Sequence, residues 1–260
     1  DFNYQRASSI EDAASKHAAA ADARYLAGGM TMVPVLKQRL DQPSDVVDLG
    51  SLGDLTGISE DGGAIVIGAM TTHHDVATSD LVKSKIPALA DLAGTIGDPM
   101  VRNRGTIGGS LANNDPAASY PAAVLGLGAT IRTNKRSIEA DDFFTGMFDT
   151  ALDEGELILA VSFPIPEEAG YKHFPNPASR FPIVGSFVAK GADGVRVAIT
   201  GAGPCAFRQT EFEAAFAGGL NPDAIKDIKV SDDGLNSDIH ASAEYRAHLI
   251  NVMTRRAIGG

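Results

Sequence analysis

The chain has 260 residues, 44% of them hydrophobic and 21% charged, with 22 Lys+Arg against 33 Asp+Glu for a net charge of −11. That composition excludes a disordered chain and provides enough length for one or two domains with a real core. The acidic balance and the lack of a Lys/Arg run argue against nucleic acid as a partner, and a single cysteine, Cys205, excludes internal disulfides, cysteine-only zinc sites and all-cysteine iron–sulfur clusters. No stretch reaches the 18 or so apolar residues of a membrane span. The first residues, Asp-Phe-Asn-Tyr-Gln-Arg, carry neither a signal core nor a cleavage motif, and the missing initiator Met points to a trimmed start. These features predict a soluble, cytoplasmic protein.

Ser8-Ser9-Ile10-Glu11 has capping-box spacing and is expected to open an Ala-rich helix running to about Ala21. Arg24 to Ala27 reads as a short strand cut by Gly28-Gly29. Met32 to Leu40, with Pro34 early and Lys37 and Arg39 late, reads as a helix. Val46–Leu49 and Ala64–Ala69 read as strands with Asp61-Gly62-Gly63 as the turn between them. Lys85–Ala93 reads as helical, as does the apolar stretch from about 117 to 128. Leu157–Phe163 is a strand, after which Pro164-Ile165-Pro166 interrupts ladder pairing and marks a boundary. Ile183–Ala189 and Val195–Thr200 flank Gly191-Ala192-Asp193-Gly194 as a hairpin. A last helix starts near Ala241 and puts Tyr245, Leu249, Val252 and Met253 on one face. The expected class is α+β, in two domains of about 1–165 and 166–260.

Two loops stand out. Ala27-Gly28-Gly29-Met30-Thr31 and Thr106-Ile107-Gly108-Gly109-Ser110 share an apolar lead-in, paired glycines and a hydroxyl. Paired glycines let successive N–H groups point into one concavity, which binds phosphate without a basic side chain, and a following helix N-terminus adds positive potential. Two such loops are expected to hold a pyrophosphate from both sides, the alternative being two ordinary tight turns. Gly126-x-Gly128 and Gly201-x-Gly203 lack the third glycine and the acidic residue of a Rossmann fingerprint, and there is no Gly-Lys-Ser/Thr P-loop.

The same residues carry a family resemblance. The runs 27–40 and 105–122, together with Gly68-Ala69-Met70-Thr71-Thr72-His73, Glu156-Leu157-Ile158, Glu244-Tyr245-Arg246 and Arg255-Arg256, resemble the medium, flavin-carrying subunits of molybdenum hydroxylases, and among these the carbon monoxide dehydrogenase type most. The resemblance spans essentially the whole chain. It implies a two-part FAD-binding domain of the vanillyl-alcohol-oxidase (PCMH) type, with parts of about 1–55 and 56–165, followed by a smaller α+β domain over 166–260.

By that resemblance, Ala27, Gly28, Gly29, Met30 and Thr31 with Thr106, Ile107, Gly108, Gly109 and Ser110 wrap the pyrophosphate and ribityl chain of a non-covalent FAD. Arg24, Tyr25 and Leu26 lead into the first loop, Asn114 and Asp115 border the cofactor, and Ile158 packs on the flavin side. Two positions depart from the family. Ser119 stands where many relatives have an acidic residue, and His173 stands where relatives have a Lys, which leaves Lys172 as a substitute from one position earlier. Phe181 matches a position often aromatic beside the isoalloxazine, or is a plain core residue.

The remaining candidates read as structural. His73-His74, taken to lie on a strand, would face opposite ways and have no further ligand set, so neither metal binding nor covalent flavin attachment is expected. His17, His240 and His248 are expected on helix surfaces, Asp141-Asp142 and Glu167-Glu168 as solvated loop carboxylates, Arg255-Arg256 as a solvated face, and Cys205 as inert. No residue is expected to do acid–base catalysis, because electron transfer needs none.

The resemblance implies partners: a large molybdopterin-binding subunit that oxidises substrate and a small subunit carrying 2Fe-2S clusters, assembled as a dimer of heterotrimers. An external acceptor (quinone, oxygen or NAD) takes the electrons, and the complex lies in the cytoplasm or against the inner membrane face. The rival readings are a self-sufficient flavoprotein oxidase of the same fold and a non-enzymatic scaffold.

Overall fold

The computed structural model describes residues 1–259. The chain opens with a parallel three-stranded sheet: β1 (Asn3–Arg6), β2 (Ala23–Leu26) and β3 (Asp45–Asp48), in the order β1-β3-β2. Val46 and Val47 are fully buried at its centre, whereas β1, Asn-Tyr-Gln-Arg, carries no apolar periodicity and forms by pairing with β3. The helix Ile10–Ala19 covers this sheet and buries Ala13. Its cap sits one residue later than the sequence spacing suggests. Ser9 accepts the Asp12 N–H at 3.1 Å while Asp12 reaches back to the Ser8 N–H at 2.8 Å, so the box is Ser9–Asp12 rather than Ser8–Glu11.

The turn at Asp61-Gly62-Gly63 does not join the two apolar runs around it. It closes a hairpin between β4 (Ile58–Asp61) and β5 (Ala64–Gly68), and β3 belongs to the first sheet. β4 escaped the apolar pattern because it is an outer strand with one apolar residue in four. β6 (Thr130–Thr133), β7 (Ser137–Glu139), a small hairpin of β8 (Phe144–Gly146) and β9 (Asp149–Thr150), and β10 (Ile158–Pro164) follow. The five-stranded sheet runs β4-β5-β10-β6-β7, with β10 antiparallel to both neighbours. Pairing continues through Pro164, opposite Ala64 at the end of the ladder, so the interruption falls just after it.

Beyond Pro166 the chain forms β11 (Glu168–Pro175), β12 (Pro182–Gly191), β13 (Gly194–Thr200) and β14 (Phe207–Arg208), a meander paired in that order. β12 is buried at all of its first eight positions, which explains its mostly apolar run, and the one polar side chain in it, Ser186, is paired with the Thr254 hydroxyl at 2.8 Å. One face of this sheet packs Tyr171, Phe187 and Ala198 into the same apolar cluster as the helix Tyr120–Leu127. The other face packs Val184, Val188, Val197 and Ile199 against Leu249, Ile250 and Met253 of the helix Ala243–Gly259. That helix begins two residues beyond Ala241, and Tyr245 stays 41% exposed.

Several polar expectations change in three dimensions. His73 and His74 start a helix, His73–Thr78, rather than lying on a strand. His240 is in a loop rather than on a helix. Asp141 is not simply solvated: it pairs with Arg196 at 2.5 Å and Arg208 at 3.2 Å. Glu167 pairs with Lys190 at 2.8 Å.

Arg246 is 4% exposed and ties the last helix to the sheet. Its Nη1 donates to the carbonyls of Ile183 at 2.7 Å and Gly201 at 2.8 Å, and its Nη2 meets Asp238 at 2.7 Å. Arg246→Met leaves two buried carbonyls without donors, and a loss of roughly 3 kcal/mol is expected from the urea unfolding midpoint at unchanged slope.

Candidate cofactor-binding site

Between the first sheet, the five-stranded sheet and the start of β12 lies a cavity of about 660 Å³, within the range of ligand pockets. The loop after β2 forms one wall. Gly28 is required there by contact: a Cβ on it would lie 1.8 Å from the Arg104 carbonyl oxygen, so any side chain forces the two glycine loops apart. Gly29 takes φ +77° and turns the chain. The N–H groups of Gly28, Gly29, Met30 and Thr31 have no acceptor among the described residues. These four consecutive donors without a partner border the cavity.

The second loop is built differently. Thr106 caps the helix Ile107–Asn113, its Oγ1 accepting the Gly109 N–H at 3.1 Å. Ile107 donates to the Thr71 carbonyl at 3.1 Å, Gly108 to Ala69 at 2.9 Å and Ser110 to Thr106 at 3.0 Å. The expected second nest is therefore absent from 107–110, whose N–H groups are already satisfied by the chain. This loop presents side chains and a helix start to the cavity. Gly108 serves packing, because a Cβ on it would come within 2.6 Å of the Ala69 Cβ.

The cavity lining brings together Arg24, Tyr25, Ala27, Gly28, Gly29, Met30, Thr31, Thr106, Gly109, Ser110, Asp115, Ser119 and Phe181. Seven positions named from the sequence lie outside it. Leu26 ends β2 half-buried, and Ile107, Gly108 and Ile158 are buried in the core behind the wall. Asn114 is fully buried with φ +40°, and its Nδ2 donates to the carbonyls of Gly146 at 2.9 Å and Asp149 at 2.7 Å. Lys172 and His173 alternate on β11. Lys172 is exposed, and His173 stacks on Tyr171 with ring centroids 5.5 Å apart. The cations in the lining are Arg24 and Arg180 instead. Arg180 has φ +65° and donates to the Gly97 carbonyl at 3.2 Å, a placement set by the tertiary fold and carried by no motif.

Three further lining groups went unassigned in the sequence. His17 lies 4.8 Å from the Tyr25 ring, and Tyr25 Oη donates to the Gly155 carbonyl at 3.1 Å, so the end of the first helix, β2 and the 154–156 loop are held together. His73 is 5% exposed, 5.3 Å from the Tyr120 ring, and its N–H donates to the Gly105 carbonyl at 2.9 Å. Burial, helped by the charge of Arg102, pushes its pKa down to about 4, so the imidazole is neutral at neutral pH. Glu156 is 5% exposed. Burial opposes its ionisation, but Arg136 at 3.0 Å, Thr133 at 2.6 Å and the Asp153 N–H at 2.8 Å outweigh burial and hold its pKa down to about 2. The Thr-Thr-His and Glu-Leu-Ile motifs contain both residues, and nothing in either motif assigns His73 or Glu156 to the lining.

With this geometry established, known proteins decide the family. The family described as the FAD-binding domain in molybdopterin dehydrogenase matches residues 1–166. The chain belongs to that family. It is 35% identical to the glyceraldehyde dehydrogenase medium chain of Sulfolobus acidocaldarius, with 99% of this chain and 97% of that one covered. It is also 35% identical to the nicotine 6-hydroxylase medium subunit of Paenarthrobacter nicotinovorans, covering 99% and 96%. Among solved structures it resembles carbon monoxide dehydrogenase from Oligotropha carboxidovorans, with a TM-score of 0.90 at 32% identity over 99% of this chain and 96% of that one. The architecture is thus an FAD-binding PCMH-type fold followed by further α+β structure, in an oxidoreductase subunit.

The cavity fits this flavin family. The free donors of 28–31 suit a pyrophosphate, and Ile96, Val101, Phe181 and Pro182 supply an apolar wall for a ring system. Glu156 sits in the same lining with its charge compensated by Arg136. Its folded pKa lies below the ordinary carboxylate value, so it stabilises the fold above about pH 4.5 and that stabilisation is lost as pH falls toward 2. Glu156→Gln is expected to cost on the order of 2 kcal/mol at neutral pH and to flatten the acid limb of stability between about pH 4.5 and 2, read from chemical unfolding at a series of pH values.

Proposed function

We propose that the chain carries FAD non-covalently in this cavity and passes electrons from the iron–sulfur clusters of a small partner subunit to an external acceptor, while a larger partner with a molybdopterin centre oxidises the substrate. The run of free N–H groups at Gly28–Thr31 carries this reading. Bound there, FAD supplies a centre that takes up electrons and releases them again. The chain's own residues bind and position it: 28–31 hold the anion, Ser110 and Ser119 offer hydroxyls, and Arg180 brings positive charge into the lining, Arg24 being held by Asp22 at 2.5 Å and Asp41 at 3.0 Å. His73, kept neutral, adds no charge to the wall.

The residue assignments and the domain limits, about 1–165 (in parts of about 1–55 and 56–165) and 166–260, are part of the proposal. The limits are supported by the passage from the five-stranded sheet to the four-stranded sheet between Pro164 and Glu168. Relatives named for glyceraldehyde and for nicotine are equally similar to this chain, which supports placing substrate choice on another polypeptide. The proposed assembly is a dimer of heterotrimers in the cytoplasm or against the inner membrane face. Among the described residues no helix is long and apolar enough to cross a membrane.

The purified chain is expected to retain FAD through desalting and release it on heat denaturation, seen in the visible spectrum. Gly28→Ala, whose Cβ would collide with the Arg104 carbonyl, is expected to weaken retention by about tenfold or more, equivalent to ~1.4 kcal/mol. Retention by neither protein after FAD addition sinks the reading. Equal retention by both removes the glycine loop from it.

A further inference from the structure

Behind the contact of Gly28 with the Arg104 carbonyl lies a second one. A Cβ on Gly28 would also come within 3.0 Å of the Gly105 Cα, so Gly105 shares the surface on which the donor run 28–31 rests. Gly105 meets His73 in turn. A Cβ on Gly105 would lie 2.5 Å from His73 Nε2 and 2.8 Å from its Cδ2, which seats the edge of the imidazole on the Gly105 backbone. Backbone bonds hold the pair in register. The His73 N–H donates to the Gly105 carbonyl at 2.9 Å, the Gly105 N–H donates to the Val101 carbonyl at 2.7 Å, and Thr72 pairs with Thr106 beside them.

The imidazole has little freedom to yield. It is 5% exposed and lies 5.3 Å from the ring of Tyr120, which is fully buried in the apolar cluster around its helix. His73 Nδ1 and Tyr120 Oη are both buried with no hydrogen-bond partner among the described residues. A buried polar atom without a partner is uncommon and calls for a reason. Here the ring is placed by packing, and close-packed interiors transmit a displacement rather than absorb it. A chain of contacts therefore runs from Tyr120 through His73 and Gly105 to Gly28.

We propose that His73 is a positioning residue for the cofactor site, its imidazole acting as a wedge that sets the place of Gly105 and so the separation of the two glycine loops. The inference rests on FAD occupying the cavity. Burial keeps the ring neutral, so the wedge brings no like charge beside Arg102. Gly105 does not take a left-handed φ, so an alanine there is opposed by the imidazole and not by backbone strain.

The test is a double-variant cycle in the full chain, read as the FAD dissociation constant from the change in flavin fluorescence, with the urea midpoint measured alongside. Gly105→Ala, whose methyl meets a ring that cannot retreat, is expected to weaken FAD binding about tenfold, and His73→Ala, which removes the wedge, about fivefold. Independent sites would multiply to about fiftyfold. The double variant should instead bind no more weakly than His73→Ala alone, because the methyl enters the space the ring has left. Tyr120→Phe, which removes an unpartnered hydroxyl and keeps the ring, should bind FAD like the wild type.

A multiplied loss in the double variant overturns the positioning role and leaves the cofactor reading standing. So does wild-type affinity in His73→Ala with only the midpoint lowered, the result of a merely structural histidine. A loss in Tyr120→Phe as large as in His73→Ala also overturns it, by assigning the effect to the polar atoms. If Gly105→Ala does not fold, recovery of a folded, FAD-binding chain on adding His73→Ala is the same suppression, and a double variant that stays unfolded overturns the proposal. If His73→Ala does not fold, His73→Asn takes its place in the cycle. A wild-type chain that binds no FAD overturns both readings.

Discussion

The contact between the Gly28 loop and the Arg104 carbonyl is the constraint on which the site depends. It brings the end of the parallel sheet against the lead-in to the second loop with no room for a side chain. The N–H groups of residues 28–31 have no acceptor among the described residues, so each is left to water or a ligand. Neighbouring elements are arranged to keep this true. β2 is anchored by its parallel partner β3, Tyr25 is tied to Gly155, and the facing helix is capped internally by Thr106. One wall therefore has open donors at 28–31, and the other has its donors at 107–110 already taken.

Electrostatics follow the same division. The protein is acidic, yet the lining holds Arg24 and Arg180, compensates Glu156 with Arg136, and keeps His73 uncharged by burial. Local fields of this kind act through a few ångströms of low-dielectric surroundings, so a net charge of −11 does not prevent an anion from being held. Arg180, the lining cation without an ion pair among the described residues, is supplied by a segment just ahead of β12, in the C-terminal part of the chain. The cavity is thus completed by residues associated with all three large sheets.

The same arrangement fits a subunit that hosts a cofactor without choosing a substrate. The lining consists mainly of backbone donors, hydroxyls and apolar surface, with Arg24 and Glu156 in ion pairs and His73 neutral. Nothing in such a wall requires a proton to move, which is consistent with electron transfer and with relatives whose names refer to unrelated substrates.

By itself the sequence determined the class and the two glycine loops, because these depend on local rules: paired glycines, capping hydroxyls and apolar runs; the family came from the resemblance of the runs 27–40 and 105–122 to known flavin subunits. The sequence also located most of the long strands and helices. It did not show β1, β4 or β11, whose residues alternate weakly or not at all and which form by pairing with a neighbour. Nor could it separate the two loops, since both read as nests until Thr71 and Ala69 were seen to occupy the donors of the second. Ile158, Lys172 and His173 were named by position in a motif, and burial and strand alternation place them outside the lining. Arg180, His17 and His73 enter it only because distant segments meet. Local conformation was written in the residues, and which donors remain free was decided by the tertiary structure, because satisfying a backbone N–H depends on whatever packs against it.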